Sequence, residues 1–106
     1  MPVRLVAQDQ LSRAFDLERR GSYAQAAEVY KTVLKAKPGE LSALLGLERS
    51  LTPINRVAEM LPAVQAGITA NPAAAAIYAI GVRVYSAAEL PDSLPRLVEL
   101  WAKAMP

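Results

Sequence analysis

Phe15, Arg49 and Arg83 lie at equal intervals of 34 residues (49 − 15 and 83 − 49) in this sequence. A fold that repeats at this interval places one aromatic ring and two guanidinium groups on a single face. Guanidinium groups bind carboxylates, so such a face can hold a peptide side chain together with an acidic group or a C-terminal carboxylate. The alternative is that both arginines are solvated or are paired with Glu18 and Glu48, which is the usual fate of surface charge.

Other kinds of chemistry have little support. The chain has no cysteine and no histidine, so it lacks thiolate ligands, the commonest general base and the commonest metal ligand. No glycine-rich phosphate loop is present. Glu48 is the one candidate for a carboxylate with a perturbed pKa, although a surface or paired role is more usual for glutamate. We therefore expect no enzyme, no metal and no cofactor.

Charge and hydropathy also limit the function. The 106 residues include 12 basic and 10 acidic side chains, a net charge of +2, and no helix combines a basic face with base-reading side chains. We expect no nucleic-acid partner. The uncharged stretch of residues 63–82 contains Asn71 and Pro72 and is not expected to insert into a membrane. The start of the sequence has too short an apolar run for an intact secretory signal, which leaves a bacterial periplasmic, secreted or cytoplasmic location open.

The elements that must position these residues are helices. Apolar residues recur at helical spacing in six segments separated by Gly, Pro, Asn or Ser, and no segment shows sustained alternation, so we predict an all-α fold without a sheet. Ser22 and Gln25 fit a capping box, and Asn71 before Pro72 fits a helix start. Pro62 is expected to lie inside the fourth helix and to bend it or break one of its hydrogen bonds. The segments are approximately residues 3–20, 22–37, 40–51, 53–69, 72–88 and 94–105.

Three prolines share the 34-residue interval, because Pro38, Pro72 and Pro106 are separated by 34 residues each (72 − 38 and 106 − 72). The stretch GSYAQAAEVYKTVLKAKPGE at residues 21–40 closely resembles the second helix of a tetratricopeptide repeat. Within it, Ala26 matches the small residue that allows close helix approach, and Tyr30 matches the large residue that fills the neighbouring groove. The resemblance implies a single domain, an α-solenoid of three helix-turn-helix repeats and six helices, with repeats at approximately residues 7–40, 41–74 and 75–106.

In this family the concave face of the solenoid binds extended peptides or partner helices, and the first helix of each repeat lines that face. The resemblance therefore implies a protein-interaction or scaffold module that binds a protein or peptide partner, acidic partners included. The polar clamp that some members use on chaperone tails is absent, since Leu11 and Phe15 stand where its first two polar residues would be. The expected groove residues are Leu11, Phe15, Arg19, Leu45, Arg49, Ile80 and Arg83.

The last helix gives a second, alternative function. Trp101 is expected to pack inside, whereas Leu97, Leu100 and Met105 have no further helix in the sequence to cover them, so we predict that they form an assembly surface. They can be covered by more chain in a longer protein, by a two-fold dimer, or by end-to-end stacking that builds an oligomer or filament.

Overall fold

The computed structural model describes residues 3–88 and 94–104. Within these ranges the chain forms six α-helices and one 3₁₀ helix, and no strand, which confirms the all-α fold class. None of the helices in these ranges is both long and apolar enough to cross a membrane. The helices are α1 (Val3–Arg19), α2 (Tyr23–Ala36), α3 (Leu41–Leu51), α4 (Leu61–Ala70), α5 (Ala75–Ala87) and α6 (Leu94–Ala104), and the 3₁₀ helix is Val57–Met60.

Helices α1 and α2 form a tight hairpin. Gly21 adopts a φ of +78°, the left-handed conformation that favours glycine, and this reverses the chain after α1. Ala14 on α1 and Ala26 on α2 are fully buried, and such small side chains allow close approach of the two helices. The predicted capping box is wrong, because the Ser22 side chain makes no capping hydrogen bond. Its backbone carbonyl still accepts a bond from the Ala26 amide.

Tyr30 joins α2 to α3. Its ring is fully buried and lies against Gly46, where an added Cβ would be only 2.2 Å from the ring atom Cζ. The large residue at position 30 thus fills a space that a glycine on the neighbouring helix leaves open. This agrees with the role predicted for Tyr30.

The connection between α3 and α4 differs from the prediction of one bent helix from residue 53. The chain first turns at Asn55, which has a φ of +56°, a conformation that asparagine tolerates better than most residues. After the 3₁₀ helix, α4 begins at Leu61, so Pro62 lies in its first turn. Proline costs no internal hydrogen bond at that position. The expectation of a proline inside the helix is therefore wrong.

The second half is built around α5, which packs against both α4 and α6. Gly81 faces Leu97 of α6 and Val64 of α4, with an ideal Cβ at position 81 only 3.0 Å from Leu97 Cδ2. Trp101 stacks on Tyr78 with ring centroids 6.0 Å apart, so its predicted inner packing is confirmed. Asn71 ends α4 rather than capping α5, which corrects its predicted role.

Contacts between non-consecutive helices set the overall arrangement. Besides its neighbours in the chain, α3 packs against α1 on one side and α5 on the other. The first, third and fifth helices therefore form a row. The Cα atoms extend over 38 × 32 × 16 Å, so the molecule is flat, with a thickness suited to about two helix layers.

Candidate functional site

An open cleft of about 620 Å³ lies where α1 and α3 end side by side. Its position follows from the two turns, at Gly21 and at Asn55, which bring the start of α2 and the residues after α3 to the same end of the row. The lining combines two arginines and two glutamates with an aromatic ring, a hydroxyl group and a proline. These residues are Glu18, Arg19, Tyr23, Glu48, Arg49, Thr52 and Pro53.

Glu18 is the centre of a hydrogen-bonded network beside the cleft. Arg49 donates from Nε to Oε2 and from a terminal nitrogen to Oε1 of Glu18, both at 3.2 Å. The Tyr30 hydroxyl donates to Glu18 Oε1 at 2.5 Å. Burial of the phenol, and next the hydrogen bond to Glu18, raise the pKa of Tyr30. The hydrogen bond to Glu18 likewise raises the pKa of Arg49, so the guanidinium stays charged and fixed in place.

Phe15 lies next to this network. The Arg49 guanidinium lies 5.5 Å from the centre of the Phe15 ring, within the range of a cation–π interaction. The Phe15 ring also meets Tyr30 edge-on, with centroids 6.1 Å apart. Yet 43% of Phe15 remains exposed. The predicted proximity of Phe15 and Arg49 is confirmed, and part of the ring is available to a partner.

The second arginine of the series is also paired. Arg83 of α5 donates to both carboxylate oxygens of Glu48 on α3, at 2.9 and 2.7 Å. This hydrogen bonding raises the pKa of Arg83. Together with the Glu18–Arg49 pair, it forms an ion-pair ladder from α1 through α3 to α5. The alternative interpretation, in which both arginines are paired with Glu18 and Glu48, is the one that the structure shows.

Arg19 is the remaining cation of the cleft. It is exposed at the end of α1, and no carboxylate of residues 3–88 or 94–104 lies within 4 Å of it. Arg19 is therefore the cleft arginine that an incoming anion meets without displacing an internal carboxylate.

The prediction that Ile80 and Leu97 lie on the surface is wrong, because both side chains are buried. Ile80 is 1% exposed and belongs to the hydrophobic core, so it does not line a groove. Leu97 is 3% exposed because it packs into the space over Gly81, so it does not belong to an assembly surface. Helical periodicity identifies these positions as apolar, but it does not tell which of two neighbouring apolar faces is covered.

The other predicted site residues differ in how far they are buried. Leu11 and Leu45 are half-buried and pack against the core. Leu100 is 44% exposed, as expected for an uncovered residue. Met105 lies outside the described residues.

Sequence reasoning missed part of the cleft. Tyr23 is half-buried and lines the cleft with Thr52 and Pro53, and none of these three residues is among the expected groove residues. The turn residues at 20–22 and the proline after α3 were visible in the sequence. Their closeness in space was not, because it depends on how α1 and α3 pack.

The chain matches no model of a known protein family, no curated protein and no solved structure.

Proposed function

We propose that this chain is a protein-binding module of three helical hairpins similar to tetratricopeptide repeats, and that the α1–α3–α5 row binds a partner peptide. The observation that carries the proposal is the cleft beside the half-exposed Phe15 ring, with Arg19 unmatched by a carboxylate among the described residues. An aromatic surface next to a cation is suited to a peptide that has an apolar side chain and an acidic group.

The row of helices supports the repeat architecture. In a solenoid, each repeat contacts its neighbours, and the first helices of successive repeats lie side by side. Here α3 packs between α1 and α5, and one ion pair joins each adjacent pair of helices. The Glu18–Arg49 and Glu48–Arg83 pairs bridge the adjacent helices of the row.

Because Arg49 and Arg83 are already paired with glutamates, they are less suited to bind a partner carboxylate than the sequence suggests. A partner carboxylate that used Arg49 or Arg83 would have to compete with Glu18 or Glu48, which already satisfy the guanidinium groups. We therefore assign carboxylate binding to Arg19. Phe15 and Tyr23 then supply the contact for an apolar or aromatic side chain of the peptide.

A peptide selection tests this function. Peptides of about 12 residues are selected on the immobilised chain, and their dissociation constants are measured for the wild type and for Phe15→Ala with Arg19→Glu. We expect a class of acidic, apolar peptides whose affinity falls about tenfold or more, as for loss of a central contact. Arg13→Glu is the control, because it makes the same charge change on α1 at an exposed residue away from the cleft. A selection without such a class would refute the proposal.

End-to-end assembly is the alternative function, and the structure gives it less support. Leu97 is buried, and the exposed residues Val98 and Leu100 lie two positions apart on α6, which places them about 200° apart around the helix. They do not form one continuous apolar patch. A molar mass by light scattering that rises with concentration would favour assembly over peptide binding.

A further inference from the structure

A pocket of about 360 Å³ lies between α4 and α6, over the last turn of α5. Both α4 and α6 pack against α5, and the pocket is the space that remains between them. Its volume is within the usual range of small-molecule sites, which often lie between packed helices. It shares no residue with the cleft at the ends of α1 and α3.

Two apolar side chains on opposite sides of the pocket are accessible. Ile68 of α4 is half-buried, and Leu100 of α6 is 44% exposed. Burial of this remaining apolar surface against a ligand is favourable, because it removes the surface from water. The pocket therefore has walls that an apolar group can contact.

Polar groups from different helices converge on the same space. Arg96 of α6 is exposed and lines the pocket, and no carboxylate of residues 3–88 or 94–104 lies within 4 Å of it. Gln65 of α4 adds a side-chain amide. The Thr69 hydroxyl donates to the Gln65 backbone carbonyl at 3.0 Å, so its proton is already used. The donors available to a ligand thus include the guanidinium and the amide.

Tyr85 of α5 supplies a third donor. Its side chain is only 7% exposed, yet it lines the pocket. Its hydroxyl makes no hydrogen bond to the described residues, and it is not one of their fully buried unsatisfied atoms. Polar groups on buried side chains normally have a hydrogen-bond partner. A hydroxyl that is open at a pocket, on a side chain that is otherwise buried, can donate to a molecule bound there.

The balance of charge and apolar surface identifies the kind of ligand. One guanidinium is matched by a single negative charge, and its planar fork can donate two parallel hydrogen bonds to a carboxylate. Inorganic phosphate has no apolar part to cover Ile68 and Leu100. We propose that this pocket binds a small organic carboxylate, whose charged group is held by Arg96 and the Tyr85 hydroxyl. The apolar part of the ligand lies between Ile68 and Leu100.

NMR titration with benzoate and benzamide tests this site, because the two probes have the same ring and only benzoate is charged. We expect benzoate to shift the amide signals of residues 65–69 and 96–100 saturably, and to bind more tightly than benzamide. Arg96→Gln is expected to weaken benzoate about tenfold or more, with little effect on benzamide. Arg13→Gln is the matched control, since Arg13 is exposed on α1 and does not line the pocket.

Three further variants separate the polar and apolar contacts. Tyr85→Phe removes one oxygen atom and keeps the ring, so we expect benzoate to bind about threefold to tenfold more weakly. Leu100→Ala removes an apolar wall and is expected to weaken both probes alike. Val98→Ala is its control and is expected to weaken neither, because Val98 is exposed on α6 but does not line the pocket.

The same spectra show whether each variant is folded, because amide signals outside the pocket must keep their positions. The proposal would be overturned if benzoate at millimolar concentration gave no saturable shifts in residues 65–69 and 96–100. Equal affinities for benzoate and benzamide would also overturn it, as would an unchanged affinity of Arg96→Gln for benzoate. None of these results would affect the proposed cleft, which is tested by peptide binding to the Phe15 and Arg19 variants.

Discussion

Gly46 lies directly beneath the Tyr30 ring, and this contact determines how closely α2 and α3 approach. An added Cβ would lie 2.2 Å from Tyr30 Cζ, a distance that forces one of the helices to move. We expect Gly46→Ala to lower the free energy of unfolding by about 1–3 kcal/mol, the usual cost of overpacking a core. This would outweigh the roughly 1 kcal/mol by which alanine favours a helix over glycine. Urea unfolding measures the difference.

Gly81→Ala provides the control for this prediction. Its added methyl group would meet the Cδ2 atom of Leu97 at 3.0 Å, and that atom is the mobile end of a side chain. We therefore expect a smaller loss of stability than at Gly46. If Gly46→Ala were as stable as Gly81→Ala or more so, the tight Tyr30 contact would not exist.

Glu59 gives the molecule a specific dependence on pH. Its hydrogen bond from Arg56, and then that from Lys31, lower the pKa of Glu59 from 4.5 to about 2. The folded state therefore favours the charged carboxylate more than the unfolded chain does. The resulting stabilisation is fully present above pH 4.5 and is lost as the pH falls through about 2.

Urea titrations of the wild type and Glu59→Gln measure this effect. We expect the wild type to be more stable at neutral pH, with the difference shrinking from pH 4.5 downward until it is lost near pH 2. A difference that stays constant across this interval would show that Glu59 has the same pKa in the folded and unfolded states.

At the scale of elements, the docking of α6 depends on Leu97. This side chain is 3% exposed against Gly81, whereas Leu100, one turn later, is 44% exposed. We expect Leu97→Ala to lower the free energy of unfolding by about 2–5 kcal/mol, as for other buried leucines. Leu100→Ala removes the same atoms and is expected to cost much less. Equal losses of stability in the two variants would contradict the burial of Leu97.

The helices themselves were largely predictable from the sequence. The bounds of α2 follow from apolar spacing and from Gly21 and Pro38, since these signals act locally along the chain. The start of α4 was not predictable in this way. The sequence Thr52-Pro53 has the pattern of a helix start, but the turn at Asn55 and the 3₁₀ helix delay α4 to Leu61.

The candidate site was predictable only in part, because it depends on contacts between elements. The interval of 34 residues correctly predicted that Phe15 lies close to Arg49, and the sequence offered Glu18 as an ion-pair partner for Arg49. The sequence did not predict that Tyr30 completes the network. A tyrosine at a core position does not reveal which group its hydroxyl will bond. Ile80 was placed wrongly because α5 is apolar on more than one face, and α6 covers one of them.

At the scale of the whole molecule, contacts join neighbouring helices in series. In the described ranges, α6 has its main contacts with α5, whereas α3 is held by α1, α2 and α5. Elements with few neighbours open with less free energy than those in the middle of such an arrangement. The molecule is therefore expected to loosen from its ends rather than to open as one unit.

Native-state hydrogen exchange measures this gradient directly. We expect the amides of α3 to exchange most slowly and those of α6 to exchange much faster, because α6 can detach from α5 without disturbing α3. Gly46→Ala should accelerate exchange in α3 and leave exchange in α6 unchanged, because the contact between α2 and α3 stays intact when α6 alone detaches. Leu97→Ala should accelerate exchange in α6, since the local opening releases this side chain. If Gly46→Ala accelerated exchange in α6 as much as in α3, the molecule would open in one cooperative step, and a serial arrangement of helices would not describe its stability.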